Sequence, residues 1–260
     1  MQALSGLAHL QAAVEQGLAR VQRWGQFQES SNSRSQTTLG HTASLQLVAI
    51  ALVLAEQRWN PKSFDAGFVH QMVAVHDMGE VVRADVGRDV LVPDKTWEKD
   101  WREVQAFQQL CLALPETQRT ALLFRYLGQF ALQPNALGGN ESELLALLAA
   151  EKRLECLLFR AIEWLDYLLY ALYELRTRGN LRIVVHVLRH NHAQLKALTQ
   201  QLPGFAKEFY TPEVVAWAEN LLQQFQGVTN EQDIPDRKGA GLCKAQPDLP
   251  LGLTGTGNDH

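Results

Sequence analysis

His76 and Asp77 stand side by side at the end of the apolar stretch MVAVHDMGE. An ionisable pair that follows apolar residues is costly to bury unless something binds it. Glu80 comes three residues after Asp77, and Asp85 eight residues after it. Upstream, His41 opens the segment GHTASL. One histidine, an adjacent His-Asp and nearby carboxylates form a mixed nitrogen and oxygen donor set. Such a set suits a divalent Mn, Co, Zn, Fe or Mg ion rather than a structural thiolate site. Further on, Glu163 and Asp166 sit among Ile162, Trp164, Leu165 and Tyr167, so at least one of the two is expected to be buried and paired. His186 and His190, four residues apart, could chelate a second ion, although such a pair on an amphipathic helix more often faces solvent.

The elements that must position these residues are helices. Apolar residues recur at helical spacing almost everywhere, and alternating strand-like runs are nearly absent. The spacing predicts helices over 4–27, 42–58, 65–79, 95–113, 116–132, 141–178, 181–202 and 211–225. Ser63 or Asp65 can cap the third of these, and Gly179-Asn180 ends the long one. Residues 29–38, 81–94 and 134–140 read as loops, and Pro203-Gly204 as punctuation. The expected fold class is therefore all-α, a helical domain over 1–226. A polar tail over 227–260, rich in Gly, Pro and Asp, is expected to be disordered or loosely attached.

A chain of 260 residues that is 46% hydrophobic can bury a sizeable core. Its formal net charge of −4 shows no basic excess. Polymeric nucleic acid is thus not the expected partner, and a small anionic substrate held at a local site fits better. The three cysteines form no CxxC pair, which suits a reducing compartment. Residues 1–25 lack a signal-peptide pattern, and the apolar run over 45–55 is too short to span a bilayer. A cytoplasmic protein with no membrane partner is expected.

Four segments carry a resemblance to a known family. They are Arg23-Trp24, Gly40 to Leu45 (GHTASL), His76 to Asp85 (HDMGEVVRAD) and Arg160 to Asp166 (RAIEWLD). Together they resemble the HD-domain phosphohydrolases, and within them the 5′-deoxynucleotidase family of bacteria and eukaryotes, over about residues 15–180. The resemblance implies an HD-domain helical bundle and a metal held by His41, His76, Asp77 and a late carboxylate, Glu163 or Asp166. It implies that Glu80 and Asp85 are the acid–base pair, Glu80 on the attacking water and Asp85 on the leaving group or sugar. Arg23 would hold phosphate and Trp24 would shape the sugar or base pocket. The implied reaction removes phosphate from a (deoxy)nucleoside 5′-monophosphate, and the implied assembly is a homodimer. Phosphodiester cleavage, or hydrolysis of another phosphomonoester, is the alternative within the same chemistry. Three positions depart from the family pattern: Gly40 in place of Glu, Ala84 in place of Gly, and Glu163 in place of the ligand Asp when Arg160 is matched to the family's Lys. Gly40 and Glu163 keep open a reading of another class, a non-catalytic metal- or nucleotide-binding regulatory protein.

Overall fold

A computed structural model describes residues 2–23, 36–83, 97–133, 141–230 and 233–234. The described chain is an all-α bundle. Its helices are α1 (Gln2–Leu18), α2 (Thr38–Trp59), α3 (Ala66–Val75), α4 (Trp97–Leu110), α5 (Glu116–Leu127), α6 (Glu141–Glu151), α7 (Arg153–Arg178), α8 (Leu181–Leu198), α9 (Pro203–Glu208) and α10 (Pro212–Gln224). Short 3₁₀ turns at Met78–Arg83, Cys111–Ala113 and Gly128–Phe130 extend α3, α4 and α5. The one strand pairing among the described residues is a two-residue antiparallel contact of β1 (Gln22–Arg23) with β2 (Gln36–Thr37).

The core sits around α7, which packs on α8, α2 and α3. Leu158, Ala161, Ile162 and Leu165 of α7 are buried against Leu45, Ala49 and Leu52 of α2 and Val69, Met72 and Val73 of α3 in one apolar cluster. Local chemistry sets the ends of these helices. Thr37 caps α2 by accepting the Gly40 N–H, and Asp65 caps α3 by accepting the Phe68 N–H. Gly179, at φ 72°, ends α7 in the left-handed conformation that glycine tolerates best, and Asn180 caps α8 at once.

Four expectations need correction. The helix predicted over 4–27 ends at Leu18, because Arg23 turns into β1 and the Thr38 N–H bonds the Val21 carbonyl. Val21 is buried as a helical residue would be, so apolar spacing alone does not mark the change. The single helix predicted over 141–178 is two, broken at Lys152 (φ −120°, ψ 28°). No Gly or Pro causes the break. It lets Glu155 accept the Asp65 N–H at 2.8 Å and sets Lys152 over the Phe68 ring, so tertiary contacts override helix propensity. Pro203-Gly204 opens the helix α9 rather than a loop, with the Phe205 N–H bonded to the buried Glu56 carboxylate at 2.7 Å. The packed body also reaches past 226, because Ile234 is fully buried and its carbonyl accepts from Arg182. The expected loops over 84–94 and 134–140 and the tail from 235 onward lie outside the described residues.

α2 is the one described helix long and apolar enough to cross a membrane, judged by length and composition. Its inner face is bundle core that packs on α3, α7 and α9. Its outer face exposes Leu39, Leu47, Ile50 and Leu54, with Leu47 71% accessible.

Candidate metal centre

Three residues from two helices, α2 and the end of α3, converge on one buried point. His41 lies one turn into α2, His76 is the C-cap of α3, and Asp77 follows it before the 3₁₀ turn. His41 is fully buried, and His76 and Asp77 are nearly so. One donor atom from each lies within 4.8 Å of the other two. Gly79 allows this loop to approach α4 and α5 closely. A Cβ there would lie 2.2 Å from the Tyr126 hydroxyl oxygen and 2.5 Å from the Glu103 carbonyl, closer than atoms can sit.

Hydrogen bonds fix how each imidazole faces that point. A carbonyl can only accept, so at 2.9 Å from the Val73 carbonyl His76 Nδ1 carries the proton. That leaves Nε2 as the lone-pair atom. It is buried, lies 3.0 Å from Asp77 Oδ2, and makes no hydrogen bond. His41 Nδ1 lies 2.8 Å from Asp166 Oδ2, so its Nε2 is also turned inward, 3.7 Å from the same Asp77 oxygen. Two buried ring nitrogens turned on one carboxylate form an arrangement that a cation would stabilise. Two imidazole nitrogens and a carboxylate are the donor chemistry of Zn, Mn, Co or Fe sites, so these residues fit a divalent ion. Burial disfavours charge on His76. The charge and contact of Asp77, the charge of Glu163 and the Val73 carbonyl outweigh it and raise its pKa above the ordinary value.

The two late carboxylates on α7 are placed differently. Glu163 is buried between Arg160, whose Nη1 donates at 3.3 Å, and Tyr167, whose hydroxyl donates at 3.2 Å. Its charge is felt at His76. Asp166 is more deeply buried, with one oxygen on His41 and the other accepting the Ser44 hydroxyl at 2.5 Å. Glu80 is buried in the 3₁₀ turn directly after the ligand loop and accepts the Thr38 hydroxyl at 3.1 Å. Arg23 is described only through its backbone, in β1 opposite Gln36. Trp24 and Asp85 lie outside the described residues.

Several residues at the site could not be singled out from the sequence. Ser44 follows His41 by one helical turn, and that i, i+3 spacing on one face was the only clue to it. Gln129 donates to the His76 carbonyl at 2.8 Å, while its own carbonyl accepts from Arg160 at 2.7 Å. Tyr167 stacks on the His41 ring with centroids 5.5 Å apart. None of these three could be singled out before the helices were packed.

This fold and cluster define a class, a helical domain with a buried His/His-Asp centre. The family model described as "HD domain" matches residues 16–174, more than half of the chain, and the chain belongs to the HD domain family. Members of this family are generally hydrolases, and the domain points to metal-dependent phosphohydrolase activity. The buried cluster is compatible with that reading. A search of curated proteins found no match.

Proposed function

We propose that the chain removes phosphate from (deoxy)nucleoside 5′-monophosphates. The observation that carries the proposal is the convergence of His41, His76 and Asp77 on a buried point, with Glu80 buried at its edge. His41, His76 and Asp77 would hold the ion, with Glu163 as the fourth donor. When bound, a divalent ion polarises a phosphate oxygen and lowers the pKa of a coordinated water.

The remaining steps belong to the chain's own residues. Glu80 accepts the proton of the attacking water as its oxygen bonds to phosphorus. The Thr38 hydroxyl donates to one Glu80 oxygen and so holds the carboxylate in place. The bond from phosphorus to the 5′-oxygen breaks, and that oxygen takes a proton from Asp85. Arg23 binds the phosphate, supported by the position of its strand. β1 pairs with β2 immediately before Thr38, so the Arg23 backbone stands beside the entrance to α2. Trp24, the next residue, would shape the sugar or base pocket. A small ester fits this buried site and the acidic chain better than a polymer does.

The direct test is phosphate release from a panel of nucleoside monophosphates with Mn, Co, Zn and Mg. We expect release from monophosphates and little nuclease activity. A metal-loaded protein that cleaves oligonucleotides and ignores monophosphates would overturn this assignment and favour the phosphodiesterase alternative. A protein that binds metal and nucleotide but releases nothing would favour the regulatory one.

The same proposal covers assembly and location. A second copy of the chain is the proposed cover for Leu47, Ile50 and Leu54 on α2, because a two-fold axis would lay this uncharged stripe on itself. Sedimentation should show a dimer that Leu47→Glu plus Leu54→Glu converts to monomer. A wild-type monomer at all concentrations would end this part of the proposal. The proposed location is the cytoplasm, free of membrane.

A further inference from the structure

We infer that Asp166 and Ser44 form a positioning pair for His41, so that Asp166 serves the metal centre by orienting a ligand rather than by binding the ion. The inference rests on the metal-centre reading above and deepens it. Both Asp166 oxygens are already engaged by protein donors. Oδ2 takes the His41 Nδ1 proton at 2.8 Å, and Oδ1 takes the Ser44 hydroxyl at 2.5 Å. Asp166 is 1% accessible and His41 fully buried, so their contact is shielded from water.

The arrangement has two consequences. A carboxylate on Nδ1–H fixes the tautomer that presents Nε2 to the ion and increases the basicity of that nitrogen. Ser44 sits one turn from His41 on the same face of α2, while Asp166 comes from α7. The hydroxyl holds the carboxylate plane, so the imidazole cannot swing without breaking a contact between two helices. Tyr167, stacked on the His41 ring, limits the remaining rotation. Glu163, one turn before Asp166, is held by Arg160 and Tyr167, and its charge acts on His76. The two acids on α7 thus divide between ligation and orientation.

The test uses Co²⁺ as probe, with affinity measured by chelator competition and geometry by the visible absorption of the bound ion. Asp166→Ala should still take one Co²⁺ per chain at saturation, with affinity weakened by about 10–100-fold and the wild-type coordination number retained. Asp166→Asn keeps an acceptor for the His41 proton and should lose less. Ser44→Ala, which deletes one oxygen, should weaken binding in the same direction by the least. The melting temperature of each apo variant reports whether it is folded, and the two milder variants give the answer if Asp166→Ala does not fold. Unchanged Co²⁺ affinity in folded Asp166→Ala, with normal binding by wild type, would overturn the positioning role alone. A loss of one coordination position in Asp166→Asn would also overturn it, by making Asp166 a ligand. A wild-type protein that takes no Co²⁺ would overturn the metal reading and this inference together.

Discussion

Among the described residues two groups of histidines lie close together, and they differ in what holds the rings. At His41 and His76 each ring gives its Nδ1 proton to an acceptor beside it, Asp166 or the Val73 carbonyl, and the opposite nitrogens turn toward one carboxylate. On α8, the rings of His186 and His190 are closer together, with centroids 4.3 Å apart. There His190 Nδ1 bonds the His186 backbone carbonyl, and the His190 ring is exposed. His192, on another face, bonds the Tyr210 hydroxyl at 2.6 Å. The α8 cluster satisfies the i, i+4 rule for chelation, yet no carboxylate joins His186 and His190 in a donor group among the described residues. Proximity of two rings is therefore a poor guide to a metal site. The useful signs are ring nitrogens fixed by outer partners, burial, and an acid at the point they face.

The largest expected effect breaks this comparison directly. His76→Ala plus Asp77→Ala should remove the bound ion, whereas His186→Ala plus His190→Ala should leave metal content unchanged. Elemental analysis of protein purified without chelator decides the matter, and equal metal in the wild type and the first variant would refute the site. Next in size, Glu163→Gln should lower metal content and phosphate release together, since a neutral amide is a poor donor to a hard cation. Metal retained in Glu163→Gln but lost in Asp166→Asn would reverse the roles of the two acids. Smaller again is Glu80→Gln, expected to cost about 10²–10⁴-fold in turnover with metal content intact, as for a lost general base. Turnover within a few-fold of wild type would assign Glu80 a structural role.

The comparison also shows what could be read before folding. All-α architecture followed from apolar spacing, because each described helix contributes buried apolar residues to one core. The break at Lys152 did not, since its cause is the Asp65 N–H and Phe68, far away in sequence. The same holds at Leu18, where the chain leaves the helix while its apolar period continues into buried Val21. At the site, His76 and Asp77 were legible because an ionisable pair after apolar residues needs a partner, and His41 was legible only beside them and through the family resemblance. Glu163 and Asp166 were legible as a pair but not as separate roles, because their sequence neighbours are alike and only the position of α2 tells them apart. Ser44, Thr38 and Gln129 are ordinary polar residues until packing brings them to Asp166, Glu80 and the His76 carbonyl.

The smallest expected effect sharpens the other side of the comparison, where His192 is held by protein partners. Burial lowers the pKa of His192 below the ordinary value. Glu219 pulls it upward and Lys196 pushes it down, and the net shift is downward. The neutral ring is therefore the form that folding favours. It lies between the Tyr210 hydroxyl and the Glu219 carboxylate, the latter 3.7 Å from Nε2. When pH falls below about 6.5, the ordinary histidine value, the unfolded chain takes up this proton before the folded chain does. The stability that His192 contributes is thus present above that pH and declines as pH falls toward its folded pKa. Denaturant unfolding of the wild type and of His192→Gln, measured with metal removed, should show a shallower pH slope for the variant just below pH 6.5. The chelated state keeps ion binding at His41 and His76 out of the measurement, and those two residues are common to both proteins. Glutamine can still bond the Tyr210 hydroxyl, so the two curves should converge above pH 7. Parallel curves across the whole range would mean that His192 takes its proton equally in both states, and that the Tyr210 contact, rather than burial of a neutral ring, explains its place in the fold.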